Sequence, residues 1–408
     1  MNCVGGAKGR PQVCGRAARP NGVRLAGSRA ASAAVGFIVP PLIPIIRKKH
    51  MMNSLSFRCN IHLDANYNQV ERTRIISSKL EGCTVSLIFG PVQSRRLGRS
   101  LGIDVIPPKT CNWNCVYCQL GRTTPVTNIR RQYSPTDALG AEIREALRTF
   151  VGEVDWITFV GSGEPTLHIQ IGKLIRTAKI LTDIPVAVIT NGSLLYVPAV
   201  ARDLQMADAV LPSLDAGNEL LFRTINRPHP QVRYDRYRHG LAQFRQSYKG
   251  LFWLEVMLIA GLNDDERSLT ELSSALSEIA PDEVHVSTPF RVPAEPWVRQ
   301  PCSERIALAK RILGENCRVL MPAAADANLV DRDPVEAIID VILRHPLSDE
   351  ELRSTLTRSM KHPESGLNRL AHDSRVKRVR REGAFFWCAA AGVYEPQANG
   401  RSRTEHDI

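Results

Sequence analysis

From about residue 100 onward, short apolar runs alternate with stretches whose apolar residues recur every three or four positions. Leu101–Ile106, Trp156–Val160, Val186–Thr190, Ala209–Leu214, Phe252–Leu258 and Glu283–Ser287 read as strands. Amphipathic helices are predicted near 137–149, 169–181, 197–206, 231–247, 266–279 and 303–314, with Ser134-Pro135-Thr136 as a start signal for the first. Six strand-then-helix repeats predict parallel strands joined by right-handed crossovers. A closed eight-fold barrel needs two more repeats, so the pattern predicts an α/β fold with an open six-stranded parallel (β/α)6 barrel. An open doubly wound sheet is the alternative.

Past a linker at 323–333 the pattern changes. Val335, Ile338, Ile339, Ile342 and Leu343 form one helical stripe, with Pro334 suited to its first turn. Ser348–Leu356 reads as a second helix, with Ser348 and Glu351 spaced as a capping box, and Glu364–Ala371 as a third. Val376–Arg381 and Ala384–Cys388 flank Glu382-Gly383 as a hairpin. Three helices and a hairpin over 334–392 predict a small C-terminal winged-helix domain, followed by a flexible tail at 393–408. Phe385, Phe386 and Trp387 are expected to fill its core.

Residues 1–84 show no sustained helical or strand period and read as a basic, disordered extension ahead of a core spanning 85–322. Translation from Met51, Met52 or Val85 would remove most of that segment. Its composition also locates the charge. The 408-residue chain has a formal net charge of +12, yet residues 1–63 hold ten Lys and Arg and no Asp or Glu. The remainder is nearly balanced, so the folded body is not marked as a polyanion binder. The apolar run Ala33–Ile46 is interrupted by Pro40, Pro41 and Pro44 and is too short to span a membrane. It ends in Arg47-Lys48-Lys49 without a small-residue cleavage site, which does not suit a secretory signal. The ten cysteines are therefore expected as thiols or metal ligands in a reducing cytoplasm.

Three of them, Cys111, Cys115 and Cys118, form C-x3-C-x2-C in the loop after the first predicted strand. A closed zinc site wants four ligands, usually as two pairs, and no second pair follows. A [4Fe–4S] cluster suits the spacing better. Three thiolates leave one iron free to bind a small molecule, where four would leave an electron-transfer centre.

With Tyr117 before the last cysteine, the motif resembles that of the radical S-adenosylmethionine (radical SAM) superfamily, C-x3-C-x-aromatic-C. The resemblance implies that the open iron chelates SAM through its amino and carboxylate groups. An electron from the reduced cluster would then cleave SAM to methionine and a 5′-deoxyadenosyl radical. It also implies an electron donor such as flavodoxin or ferredoxin.

Other polar groups fall at the C-terminal ends of the predicted strands, where parallel β/α barrels build their sites. Gly161-Ser162-Gly163-Glu164 is similar to the family's Gly-Gly-Glu motif, with Ser162 in place of one glycine; alone it is an ordinary strand-to-helix turn. Asn191, in Thr190-Asn191-Gly192, is a candidate ligand contact or a plain turn residue. Ser213 and Asp215 resemble a ribose-contacting position. Glu255 interrupts the apolar fifth strand and is expected to face the barrel interior, toward SAM or substrate or in a structural role. The cofactor-binding candidates are thus Tyr117, Gly161, Ser162, Gly163, Glu164, Asn191, Ser213 and Glu255, with no catalytic residue assigned.

Phe89-Gly90-Pro91, Ser94-Arg95-Arg96-Leu97-Gly98, Ser100-Leu101-Gly102-Ile103-Asp104, Asn226-Arg227-Pro228 and Arg291-Val292-Pro293-Ala294-Glu295 extend the resemblance over about 86–300. They look like a bacterial branch of Fe–S oxidoreductases similar to the tRNA wyosine-synthesis enzymes. Those enzymes carry a second cluster on further clustered cysteines, which this chain lacks. Cys302 and Cys317 are isolated and read as small buried apolar residues, so the pyruvate-condensing reaction is not implied. Trp113 and Asn114 are expected only to shape the cysteine loop. Arg375, Lys377, Arg378, Arg380 and Arg381 on the hairpin could grip RNA phosphates or form a solvated face. Two functional classes follow: a radical SAM enzyme acting on an RNA or protein, or an Fe–S redox sensor that binds nucleic acid.

Overall fold

The apolar runs of the central region form the strands of one sheet, and those at its centre are buried on both sides as parallel strands are. In the computed structural model, residues 87–137, 139–320 and 333–394 are described. The sheet has eight strands in strictly sequential order: β1 (Ile88–Ser94), β2 (Gly98–Ile103), β3 (Trp156–Phe159), β4 (Val186–Thr190), β5 (Ala209–Pro212), β6 (Leu251–Met257), β7 (Glu283–Ser287) and β8 (Cys317–Val319). β2 through β8 run parallel, and β1 is antiparallel to β2. Sequential order with crossovers of one hand leaves the helices on a single face, so the doubly wound alternative is excluded.

All six expected strands are present, and the expected count of six is two short. β1 was hidden by Gly90-Pro91 in its middle, where its pairing with β2 slips between Phe89 and Val92. β8 is three residues long and carries no pattern of its own.

The helices packed on the sheet are α1 (Leu139–Thr149), α2 (Ile171–Leu181), α3 (Pro198–Leu204), α4 (Glu219–Ile225), α5 (Tyr234–Ser247), α6 (Glu266–Ile279) and α7 (Ser303–Leu313). Their starts follow local chemistry. Asp265 caps α6 by accepting from Ser268 N at 3.1 Å, and Asn218 caps the unexpected α4 through Leu221 N at 2.9 Å.

The C-terminal module consists of α8 (Pro334–Ile342), β9 (Leu347–Ser348), α9 (Asp349–Ser359), α10 (Pro363–Ala371), β10 (Val376–Arg381) and β11 (Ala384–Ala389). Its strands form an antiparallel sheet in the order β10-β11-β9. The capping box is present, with Ser348 and Glu351 bonding reciprocally. Glu382 and Gly383 both take positive φ, 47° and 87°, as a two-residue hairpin turn of the primed type requires. The α8 stripe packs with Leu352, Leu356, Leu370 and Trp387 into a core separate from that of the eight-stranded sheet. Trp387 joins that core as expected, whereas Phe386 is buried in a separate cluster with Val292 and Cys388, and Phe385 lies exposed with Arg378 stacked over its ring.

Val92 of β1 packs against the module core, so the module sits on the first edge of the sheet. Among the described residues no helix is long and apolar enough to cross a membrane. The expected N-terminal extension, the 323–333 linker through Arg332 and the tail beyond Tyr394 lie outside the described residues.

Candidate radical SAM site

β2 ends at Ile103, and the following loop carries the three cysteines across the C-terminal ends of the parallel strands. Internal bonds shape this loop. Trp113 is buried and meets Phe222 and Tyr237 edge-on, with ring centroids 5.2 and 5.5 Å away. Asn114 Oδ1 accepts from Thr123 N at 2.8 Å, closing the loop on itself. Both residues serve the loop-shaping role expected of them.

Each thiol has a donor directed at it. Lys109 Nζ lies 3.1 Å from Cys118 Sγ, Asn226 Nδ2 3.6 Å from Cys115 Sγ, and Asn191 Nδ2 3.9 Å from Cys111 Sγ. Burial, together with Glu164, pushes the Cys111 thiol up to about 12. Burial, with Asp215 and the other two cysteines close by, raises Cys115 well above the ordinary thiol range. Bare thiolates are therefore unfavourable here, and positive iron with surrounding N–H donors is the chemistry that would stabilise them. Among the described residues no three His, Cys, Asp or Glu side chains converge on a single-ion centre. A [4Fe–4S] cube, bonded through three separate irons, needs no such convergence. The donor set fits the cluster.

Cys115 and Cys118 line a cavity of about 380 Å3 bounded by the sheet and the C-terminal module. Tyr117, Gly161 and Glu255 line it too. The other candidates stand behind its wall. Ser162 donates through N and Oγ to Asp104, the hydroxyl at 2.6 Å. Gly163 is pressed on the cysteine loop so closely that a Cβ there would lie 1.9 Å from Thr110 O. Glu164 is 2% exposed and accepts from Thr166 N (3.0 Å), Thr166 Oγ1 (2.5 Å), Thr190 Oγ1 (2.6 Å) and Asn191 N (2.7 Å). It locks the β3 and β4 loops together, although burial pushes its carboxyl up. Asn191 donates to Asn112 Oδ1 at 2.7 Å and so braces the cysteine loop. Ser213 is half-buried, and its carbonyl accepts from Tyr237 OH.

Asp215 is fully engaged below the cysteines. Tyr117 OH and Asn226 Nδ2 each donate to its Oδ2 at 2.6 Å, and Met257 N donates to Oδ1 at 2.8 Å. Burial raises it to about 6 in spite of these donors. Glu255 faces inward, as expected of it, and Arg96 of the β1–β2 turn meets it at 2.5 Å. Burial would raise Glu255, but Arg96 outweighs it and holds the carboxyl below its usual range.

Several residues of this site carry no role in the sequence reading. Asp104 and Arg344 pair at 3.1 Å, both almost wholly buried, joining the end of β2 to the end of α8. Gln119 Nε2 reaches Arg344 O and His345. Beyond β11, Val393 O accepts from Arg122 N at 2.8 Å and Tyr394 OH donates to Gln119 O at 2.8 Å, so the chain straps the cysteine loop. The available signals were Arg95-Arg96, Asp104 and Asn226, each inside a resemblance motif without a chemical role. Cys317 is buried as expected, but Cys302 is exposed, because it stands just ahead of α7 where no apolar face covers it.

The basic strand is largely satisfied from within. Arg375 pairs with Asp373 and Glu336, Arg378 with Asp349, and Lys377 donates to the carbonyls of Ala390 and Gly392. Arg381 is buried.

Comparison with known proteins agrees with this geometry. Residues 105–272 match the model of the radical SAM superfamily. A UPF0026 protein of Methanocaldococcus jannaschii is 33% identical over 310 residues, covering 74% of this chain and 96% of the relative. A protein named GTPase Obg from Brachyspira hyodysenteriae is 41% identical over 263 residues, 64% of this chain but only 38% of that protein. Among solved structures, Streptococcus suis SuiB bound to its precursor peptide SuiA aligns with a TM-score of 0.42 at 16% identity, over 64% of this chain and 56% of that one. The superfamily binds a [4Fe–4S] cluster and SAM. On the match to nearly the whole length of the Methanocaldococcus protein, this chain belongs to the UPF0026 family within the radical SAM superfamily.

Proposed function

We propose that the chain is a radical SAM enzyme that holds its cluster on Cys111, Cys115 and Cys118 and cleaves SAM reductively to act on a substrate in the adjoining cavity. The observation that carries this reading is the meeting of Cys115 and Cys118 with Tyr117, Gly161 and Glu255 in one cavity at the C-terminal ends of the parallel strands. When bound, the reduced cluster supplies the electron that converts SAM to methionine and a 5′-deoxyadenosyl radical. The chain supplies placement. Lys109, Asn191 and Asn226 direct N–H donors at the three sulfurs. Gly163 lets the β3 turn approach the cysteine loop, and Ser162, Glu164 and Asn191 hold that turn rigid. Glu255 faces the remaining ligand from β6, and Ser213, just past β5, stands behind the cavity wall.

The module at 334–392 fits a winged helix in element order. Its basic strand is largely neutralised internally, so an RNA substrate or a nucleic-acid-binding sensor loses its main anchor there. A flavodoxin- or ferredoxin-type donor and a cytoplasmic setting accord with a reduced, oxygen-sensitive cluster. The test is spectroscopic. Anaerobically reconstituted protein should bind about four irons per chain, and the electron paramagnetic resonance signal of the reduced cluster should change when SAM is added. An iron content near one, or a signal indifferent to SAM, contradicts the reading.

A further inference from the structure

One cavity serves the site, but its lining divides by element. The cysteine loop and the β3 turn contribute Cys115, Tyr117, Cys118 and Gly161. A second contribution comes from the β1–β2 turn, the segment after β7 and the turn that follows α8, and it is cationic: Arg95, Arg96, Arg291 and Arg344. Carboxylates answer three of them, Glu255 to Arg96, Glu351 to Arg291, and Asp104 with Asp340 to Arg344. Arg95 has no carboxylate partner among the described residues. It stacks on Phe290 at 4.8 Å, and NH1 reaches only Leu320 O at 3.5 Å.

The paired guanidiniums also keep unused donors. Arg291 is 5% exposed, yet its Nε has no hydrogen-bond partner. Arg96 Nε is likewise buried without one, and its NH1 meets Glu255 as an ion pair without hydrogen-bond alignment. Leaving buried guanidinium donors unmade is costly, and native proteins rarely do so without a ligand or water to accept. His345 faces the same group from the turn after α8. Burial, followed by Arg291, Arg95 and Arg96, pushes it well below its ordinary value, so it adds no competing charge.

Resting on the radical SAM reading, we infer that the arginine side of this cavity binds the oxyanion group, carboxylate or phosphate, of a small-molecule substrate. Arg95, Arg96 and Arg291 would supply the donors, and the group would anchor the substrate beside the cysteine loop. A small molecule fits better than a nucleic acid. The space is about 380 Å3, near the lower end of ligand sites, and the module closes one side of it through Ile338, Val341 and Leu347. Moreover, β10 offers little cationic track to continue a phosphate backbone, since Arg378 is paired with Asp349 and Arg381 is buried, which leaves Arg380 as its one exposed arginine without a carboxylate partner among the described residues.

The test is equilibrium dialysis of the reconstituted protein against radiolabelled inorganic phosphate and, separately, malonate, with and without SAM. Arg95→Met removes the guanidinium that has no carboxylate partner. Arg291→Met combined with Glu351→Gln removes a second guanidinium while leaving no buried carboxylate unpaired, and glutamine preserves the capping box. Each variant should weaken binding of the preferred anion at least tenfold, with SAM affinity within twofold of wild type. Preference for malonate or phosphate identifies the group. No saturable binding by wild type, or binding by both variants as tight as wild type's, overturns the inference. SAM affinity falling in step with anion affinity overturns it as well, since the arginines would then serve the cofactor's own carboxylate. Saturable binding of total tRNA with the same arginine dependence would assign the site to nucleic acid instead. Parallel assay of wild-type SAM cleavage separates the two readings: cleavage without anion binding defeats only this inference, and anion binding without cleavage defeats only the radical SAM reading.

Discussion

Gly163→Ala tests how the cysteine loop is held. The β3 turn touches the loop at Gly163, where an added methyl would stand 1.9 Å from Thr110 O and 2.6 Å from its carbonyl carbon. Ordinary carbon–oxygen contact is about 3.3 Å, so the two backbones must separate by about 1.4 Å. That movement breaks both hydrogen bonds between them, Lys109 N to Ser162 O at 2.7 Å and Glu164 N to Thr110 O at 2.9 Å. Two backbone bonds at about 1 kcal/mol each and an overpacking penalty of about 1–3 kcal/mol give a loss of roughly 3–5 kcal/mol. Thr110 immediately precedes Cys111, so the first iron ligand moves with it. Urea unfolding should show the lost stability, and iron bound after reconstitution should fall to half or less. Gly140→Ala is the control. Its new methyl would meet Thr177 Cγ2 at an ordinary 3.4 Å within α1, and it should stabilise by about 0.5–1 kcal/mol. A Gly163→Ala protein within about 0.5 kcal/mol of wild type and fully loaded with iron would refute the reasoning.

Three further predictions rest on buried or paired carboxylates. Arg344→Ala strands Asp104 in the interior and should cost about 3–5 kcal/mol in urea unfolding, with much of the loss recovered by adding Asp104→Asn. Glu164→Gln turns one acceptor of the β3–β4 lock into a donor facing donors; unfolding should show a loss of about 2 kcal/mol, and an unchanged midpoint would deny the lock. Arg99 holds the half-exposed Asp155 down at about 2. This contribution is present above the ordinary carboxylate value and lost as pH falls toward 2, so Asp155→Asn should make the acid limb of the stability curve shallower.

The strands and the cysteine loop were legible because each declares itself locally. A strand buried on both sides is an apolar run, and three thiols in eight residues are conspicuous anywhere. β1 was not legible, since Gly90-Pro91 interrupts it and only pairing with β2 makes it a strand. The charged frame of the site was hidden for a different reason. Asp104 and Arg344 are 240 positions apart, and nothing beside either marks the other. Tyr117 and Asp215 are separated by 98 positions in the same way. Glu164 stood out in the sequence as a candidate cofactor contact, but only the fold shows that neighbouring donors already occupy it. Loop motifs thus announced where the chemistry sits, while the bonds that brace it and the cations that face it are long-range products of the topology.

The central claim is that the three cysteines hold a cluster that cleaves SAM. It is tested most directly by incubating anaerobically reconstituted, dithionite-reduced protein with SAM and quantifying 5′-deoxyadenosine by mass spectrometry, alongside Cys111→Ala, Cys115→Ala and Cys118→Ala. The account predicts 5′-deoxyadenosine from wild type and none above background from any of the three variants. A well-formed cluster that yields no 5′-deoxyadenosine, even with cell extract supplied as a source of substrate, would contradict it.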